Sequence, residues 1–193
     1  YILREVEESL NRLQTDYIDL YFTHFDDTST PVEEILEAYQ QLIKEGKIRF
    51  IGTSNMSAER IEKSMEASKN NNLPAYTVLQ PEYNLYDRKK YETEYEPLVK
   101  KYNLGVMTYF SLASGFLTGK YRSEADLSKS HRGGTISKYM NERGSRILET
   151  LETIAAENTA TPAQVALAWL IQHPTVTAPI ASASKLGQLD IVK

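Results

Sequence analysis

Short apolar runs alternate with helix-patterned segments along this sequence, and that alternation limits its fold more than any other feature. The runs are Tyr17 to Phe22, Ile48 to Ile51, Thr77 to Leu79, Val106 to Tyr109 and Val176 to Ile180. Their aromatic and β-branched residues fit buried strands. Before the first run, Ile2, Val6, Leu10 and Leu13 recur at helical spacing. A second helix is expected from Thr30-Pro31-Val32-Glu33 to Glu45-Gly46, with Thr30 as cap, Pro31 in the first turn and Glu33 closing a capping box. Ser57 is the better cap for a helix running to about Lys69. Further helices are expected at Arg88 to Tyr102, at 145–158, and at 162–173 behind Thr161, Pro162 and Gln164. Residues 121–144 are polar and read as a long loop, functional or disordered. Strands alternating with helices imply right-handed βαβ units and a parallel sheet. Periodicity leaves open whether that sheet is open or closed into a barrel.

The 193 residues read as one domain over 1–193, or part of one. With 22 basic and 26 acidic side chains and no basic run, nucleic acid is not an expected partner. The sequence has no Cys, so disulfides and thiolate metal sites are excluded; a reducing compartment fits, and the cytoplasm is the expected location. No apolar run approaches the ~20 residues that span a bilayer, so no membrane association is expected. The first residue is Tyr1, already in helical pattern, and the last lies in a helix-like stretch from Gly187 to Lys193. The expectation is a piece of a longer protein.

Each apolar run leads into polar side chains: Thr23-His24 after Phe22, Thr53-Ser54-Asn55 after Gly52, Gln80 after Leu79, Ser111 after Phe110, and Ser182 and Ser184 after Ile180. In parallel α/β folds ligands bind at the carboxyl ends of strands. These groups suit holding a polar cofactor better than hydrolysis, because none is a strong nucleophile beside a base. No G-x-G-x-x-G fingerprint and no Walker A sequence is present. A dinucleotide would have to bind in another way.

Five motifs in order resemble the aldo-keto reductase family across the whole chain. Leu13 to His24 resembles the strand-4 motif ending in the active-site His, and Gly46 to Asn55 resembles strand 5. Gln80-Pro81-Glu82-Tyr83-Asn84 resembles strand 6, Tyr109 to Lys120 the strand-7 cofactor loop, and Pro179 to Ser184 strand 8. The resemblance implies an α/β fold, the (β/α)8 TIM barrel, with about five βα units here and strands 1 to 3 absent. It implies NADP(H) as cofactor and a small-molecule carbonyl as substrate. By the same resemblance, Ser54, Asn55 and Gln80 would bond the nicotinamide carboxamide, and Tyr109 would stack on the ring beside Phe110. Ser111, Leu112, Ala113, Ser114 and Gly115 would meet the pyrophosphate, with Lys120 and Arg132 adding charge. Ser182, Ser184, Lys185 and Gln188 would contact the adenosine end, Lys185 reaching the 2′-phosphate.

The family's catalytic set is an Asp, a Tyr, a Lys and a His. The resemblance puts only the His, at His24, in this chain, so the 193 residues alone are expected to be inactive. The sequence departs from the family's pattern at Ser111, often Pro, at Ser182, commonly Gly, and at Ser184, often Arg. A second reading is a non-enzymatic cofactor-binding subunit like the potassium-channel β subunits, which resemble the family and tend to replace the His. Other polar groups read as structural: His173 closes a helix, Trp169 packs in the core with Val165, Asp26-Asp27 steady the loop after His24, and His131 has no assigned role.

Overall fold

The computed structural model describes residues 1–123, 125–126, 133–183 and 186–192. Its contacts divide the chain into two compact units, one of Tyr1–Gln80 with Glu94–Val106, the other of Pro81–Thr93 with Met107–Lys193.

The first unit begins with helix α1 (Ile2–Leu13), whose apolar stripe buries Val6 and Leu10. Strand β1 (Ile18–Thr23) leads to helix α2 (Val32–Lys44), which buries Val32, Ile35, Leu36, Tyr39 and Leu42 on one face. The expected capping box is not formed. Pro31 is the N-cap without a side-chain bond, because the Thr30 hydroxyl donates instead to Asp27 Oδ2 at 2.7 Å. Strand β2 (Ile48–Ser54) and helix α3 (Ala58–Asn71) follow, and Ser57 Oγ accepts the Arg60 N–H as expected. Strand β3 (Tyr76–Gln80) completes this stretch. The expected helix 88–102 is not uniform: a π-turn at Tyr91–Tyr95 precedes α4 (Glu96–Tyr102).

All pairings are parallel, in the order β1-β2-β3-β4-β5. Strand β4 (Gly105–Thr108) pairs with β3 through Gly105 and Val106, and with β5 (Ala178–Pro179) through Met107 and Thr108. In the first unit Phe22 stands opposite Gly52, and a Cβ built on Gly52 would lie 2.5 Å from Phe22 Cε1. The missing side chain is what admits the Phe22 ring. Beneath the strand ends, buried Thr23 shares hydrogen bonds with Tyr39 (2.8 Å) and Tyr76 (2.9 Å). Burial pushes the Tyr39 phenol up and carries Tyr76 to about 12, so both stay neutral at ordinary pH.

The second unit holds the 3-10 segment Ala113–Thr118, helix α5 (Gly133–Ile136), the 3-10 turn Ser137–Tyr139, helix α6 (Glu142–Glu157) and helix α7 (Pro162–Ile171). The expected Thr161–Gln164 capping box is present in both directions. Strand β5 is shorter than the run that predicted it, although Ile180 N–H still donates to Thr108 O. A last 3-10 segment covers Leu186–Val192.

The polar stretch 121–144 is not simply a loop. Tyr121, Ile136 and Tyr139 are buried in one core with Phe116, Leu148 and Leu151. Helix α6 starts three residues before the expected position, because Asn141 caps it by accepting the Gly144 N–H. Trp169 is half-buried against Tyr83 and His173, and His173 Nδ1 faces the Thr175 hydroxyl at 3.1 Å, so both side chains serve packing.

Candidate functional site

In the first unit the polar residues after three neighbouring strands are linked by hydrogen bonds. His24 follows β1, is exposed, and lies against the Phe25 ring at 4.4 Å between centroids. Its backbone carbonyl accepts from Asn55 Nδ2 at 2.9 Å. Asn55 has a left-handed backbone (φ 50°), which Asn tolerates better than most residues. Asn55 Nδ2 also lies 3.2 Å from Ser54 Oγ, and the buried Ser54 hydroxyl donates to Gln80 O at 2.8 Å. The register explains the linkage, since Thr23 pairs with Thr53 and Ser54 with Gln80. The half-buried Gln80 side-chain amide makes no hydrogen bond among the described residues. His24, Ser54, Asn55 and Gln80 are thus brought together. The Ser54 hydroxyl spends its proton inside the protein, leaving its oxygen as the acceptor.

The loop after His24 is pinned by a residue to which sequence reasoning gave no role. Arg60 Nε bonds Asp26 Oδ1 at 3.0 Å, and an Arg60 terminal nitrogen donates to Asp27 O (2.9 Å) and Thr30 O (2.6 Å). Both side chains of the pair are largely buried, 13% and 9% exposed. Asp27 accepts from the Ser29 N–H and from the Ser29 and Thr30 hydroxyls; these bonds, the Ser29 hydroxyl foremost, lower its carboxyl to about 2. Asp26-Asp27 therefore steady this loop, as expected. The one sequence cue to Arg60 is its place in the first turn of a capped helix.

In the second unit the backbone after β4 is bent out of regular form. Tyr109 N–H donates to Pro81 O at 2.9 Å, and Tyr83 N–H donates to Tyr109 O at 3.4 Å. Phe110, Ala113 and Ser114 all have positive φ (50°, 48° and 57°), and Gly115 follows at 98°. Such conformations cost free energy for residues with a Cβ and gather at ligand clamps. The amides of Ala113 and Gly115 close turns onto Phe110 O and Leu112 O. Buried Ser111 lies 2.8 Å from Ile180 O and 3.0 Å from Thr108 O, so its hydroxyl locks the loop to the residue after β5. Ala113 and Ser114 are buried, Leu112 and Gly115 half-buried, and Phe110 is 46% exposed.

The remaining expected residues are less gathered. Lys120 is exposed, with its ammonium 4.9 Å from the Tyr121 ring centre. Ser182 and Gln188 are exposed. Arg132, Ser184 and Lys185 lie outside the described residues, as does His131.

Sequence reasoning also gave no role to Asn84, inside a quoted motif, nor to Tyr139, inside the supposed loop. Asn84 is fully buried; its amide donates to Phe110 O (3.0 Å) and its carbonyl accepts from the Tyr86 and Asp87 N–H groups. Tyr139 donates to Asp87 Oδ2 at 2.7 Å, and Lys138 lies 3.2 Å from the same oxygen. Burial favours a neutral Asp87, but the bonds from Tyr139 and Lys138 outweigh it and hold the carboxyl below its usual range. Burial, then the Asp87 charge, pushes nearby Glu82 up. Among the described residues no group of three or more acidic or His side chains could hold a metal ion, and no helix is long and apolar enough to cross a membrane.

The family model described as "Aldo/keto reductase family" matches residues 1–192. A protein of Arabidopsis thaliana named as a voltage-gated potassium channel subunit beta is 36% identical over 98% of this chain and 59% of its own length. Aldo-keto reductase YhdN of Bacillus subtilis (strain 168) is 34% identical over 98% and 56%. L-glyceraldehyde 3-phosphate reductase of Escherichia coli (strain K12) is 31% identical over 98% and 56%. The chain thus spans 56–59% of the length of these relatives.

Proposed function

Because the chain belongs to the aldo/keto reductase family and supplies five βα units of a (β/α)8 barrel, we propose that it carries the cofactor-holding part of an NADPH-dependent oxidoreductase that reduces aldehydes or ketones to alcohols. The observation that carries this reading is the bonded chain from His24 O through Asn55 and Ser54 to Gln80 O. It ties the backbone of His24 and Gln80 to the Asn55 and Ser54 side chains, so the residues that carry an exposed imidazole and two side-chain amides are held as neighbours, and an amide pair matches the donor and acceptor of a nicotinamide carboxamide. NADPH supplies the hydride when bound. Asn55 and Gln80, with Ser54 as acceptor, hold the carboxamide, while Tyr109 covers one ring face beside Phe110. The loop from Ser111 to Gly115 lies along the pyrophosphate, with Lys120 and Arg132 adding positive charge. Ser182, Ser184, Lys185 and Gln188 meet the adenosine end. His24 donates a hydrogen bond that orients the substrate carbonyl oxygen. The family's Asp, Tyr and Lys come from sequence outside these 193 residues, and the 193-residue chain alone does not turn over. The cytoplasm, rich in reduced cofactor, is where such an enzyme works.

The test is made on the full-length protein. NADPH should quench Trp169 fluorescence, bind more tightly than NADH, and support reduction of a test aldehyde. His24→Ala should lower kcat about a hundredfold, the usual loss for one oxyanion donor. Wild-type protein that bound neither nucleotide would end the reading. A second reading is a regulatory cofactor-binding subunit, favoured by the likeness to potassium-channel β subunits. It predicts tight NADPH binding with negligible turnover, and an exposed His24 speaks for the enzyme.

A further inference from the structure

We infer that Asn84 is a positioning residue that sets the pose of Tyr109 by holding Phe110 in its left-handed conformation. The inference rests on the proposed cofactor role of Tyr109. Phe110 has φ 50°, an unusual value for an aromatic residue, and it directly follows Tyr109. Three hydrogen bonds from residues 81–84 bracket this dipeptide, and Ala113 N–H closes a local turn onto the same Phe110 O at 2.7 Å. Pro81 O accepts from Tyr109 N–H, Tyr83 N–H donates to Tyr109 O, and Asn84 Nδ2 donates to Phe110 O.

Only the last of these comes from a side chain, and that side chain is itself fixed. Asn84 Oδ1 accepts from Tyr86 N–H at 2.9 Å and Asp87 N–H at 2.8 Å, an Asx-type turn that sets the amide's orientation. With both backbone N–H groups on Oδ1, the nitrogen must face Phe110 O. The side chain is 0% exposed, so water cannot replace the lost partner. Asp87 is anchored in turn by Tyr139 and Lys138. The bend after β4 is thus fixed by a buried amide that does not itself contact the proposed cofactor.

Asn84→Asp keeps the acceptor oxygen and removes the donor, but sets a second carboxylate beside Asp87 Oδ2, which lies 3.5 Å from Asn84 Nδ2. Asn84→Ser adds no charge and shortens the group so that it no longer reaches Phe110 O, so a loss shared by both variants reads the missing bond. Each is made in the full-length chain and shown to be folded by its thermal transition. NADPH binding should weaken about tenfold, roughly one buried hydrogen bond. Binding of 2′,5′-ADP, which lacks the nicotinamide, should stay within about twofold, because a pose effect is confined to the ring. In a Phe110→Gly background, where glycine takes positive φ freely, Asn84→Asp should add less than about twofold. Equal losses for both ligands, no loss for either, or an undiminished loss beside Phe110→Gly would each overturn the inference. If wild-type protein binds no NADPH, the functional reading fails, and hydrogen exchange at residues 110–115 decides the structural part. Faster exchange in Asn84→Asp upholds it, and unchanged exchange overturns it.

Discussion

The His24 corner of the first unit and the Tyr109–Gly115 loop of the second are built by opposite means. In the first, polar side chains at strand ends bond to the backbone carbonyls at the ends of neighbouring strands, and Asn55 alone departs to positive φ. In the second, the backbone itself is bent at Phe110, Ala113, Ser114 and Gly115, and buried groups behind it, Asn84 and Ser111, hold the bend. A site made of side chains on strands tolerates changes beneath it. A site made of strained backbone depends on every support.

The sharpest way to break this comparison uses two glycines. A Cβ on Gly144 would collide with the Tyr139 backbone carbonyl and stand 3.0 Å from Phe116 Cζ. Neither can yield without moving the 3-10 turn or the core. Gly144→Ala should cost roughly 3 kcal/mol or more. Gly52→Ala meets one edge of the Phe22 ring, from Cδ1 to Cζ, rather than backbone, so the ring must shift and the cost should be about 1–2 kcal/mol. Urea unfolding of both variants gives the ratio, and equal losses would remove the contrast.

Arg60→Met tests whether the first unit also has an indispensable support. It leaves the Asp26 carboxylate without its partner and frees two loop carbonyls. The pair retains some solvent, so the loss should be about 2 kcal/mol, below the ~3–5 kcal/mol of a fully buried pair. The same variant should raise backbone exchange at residues 24–30 and leave 110–115 unchanged. Faster exchange in both segments would show that the supports are not local.

What the sequence disclosed follows the same division. The existence of the strands, the capped starts at Ser57 and Thr161, and the polar residues after each strand were legible, because each depends on neighbours within a few positions. Thr30 misled because Asp27, three residues away, competes for its hydroxyl. The π-turn at Tyr91–Tyr95 interrupts the expected helix just before Pro97, whose missing N–H restarts it at α4; that proline was the cue to the break. Tyr121, Ile136 and Tyr139 hid in the polar stretch because they are buried singly, from short irregular turns. Left-handed Phe110 could not be foreseen, since its cause is a buried amide 26 positions away.

Tyr139→Phe weakens a support of the second unit without emptying the core. Burial, then the Asp87 charge, holds the phenol neutral as a donor, and its ring stacks on Phe116. Losing a bond to a carboxylate should cost about 1.5 kcal/mol, seen as a lower urea midpoint with unchanged slope. A loss under about 0.5 kcal/mol would mean that Lys138 alone satisfies Asp87.

The smallest effect belongs to the first unit and appears only in acid. Asp27 is exposed, but the Ser29 hydroxyl, the Thr30 hydroxyl and the Ser29 N–H lower its carboxyl from 3.8 to about 2. A carboxyl whose folded value is depressed gives stability that is fully present above the unfolded value. That contribution fades as the pH falls from 3.8 toward about 2, where the folded carboxyl takes up its proton. The Ser29 and Thr30 amides should therefore lose protection, relative to the intrinsic rate at each pH, across that window, while those of 110–115 keep theirs. Asp27→Asn should remove the pH dependence of protection at Ser29 and Thr30, measured as the rate relative to the intrinsic rate at each pH, and leave an intermediate protection. A transition centred at 3.8 would show that these three bonds do not act on the carboxylate, and that the loop after His24 is held by Arg60 alone.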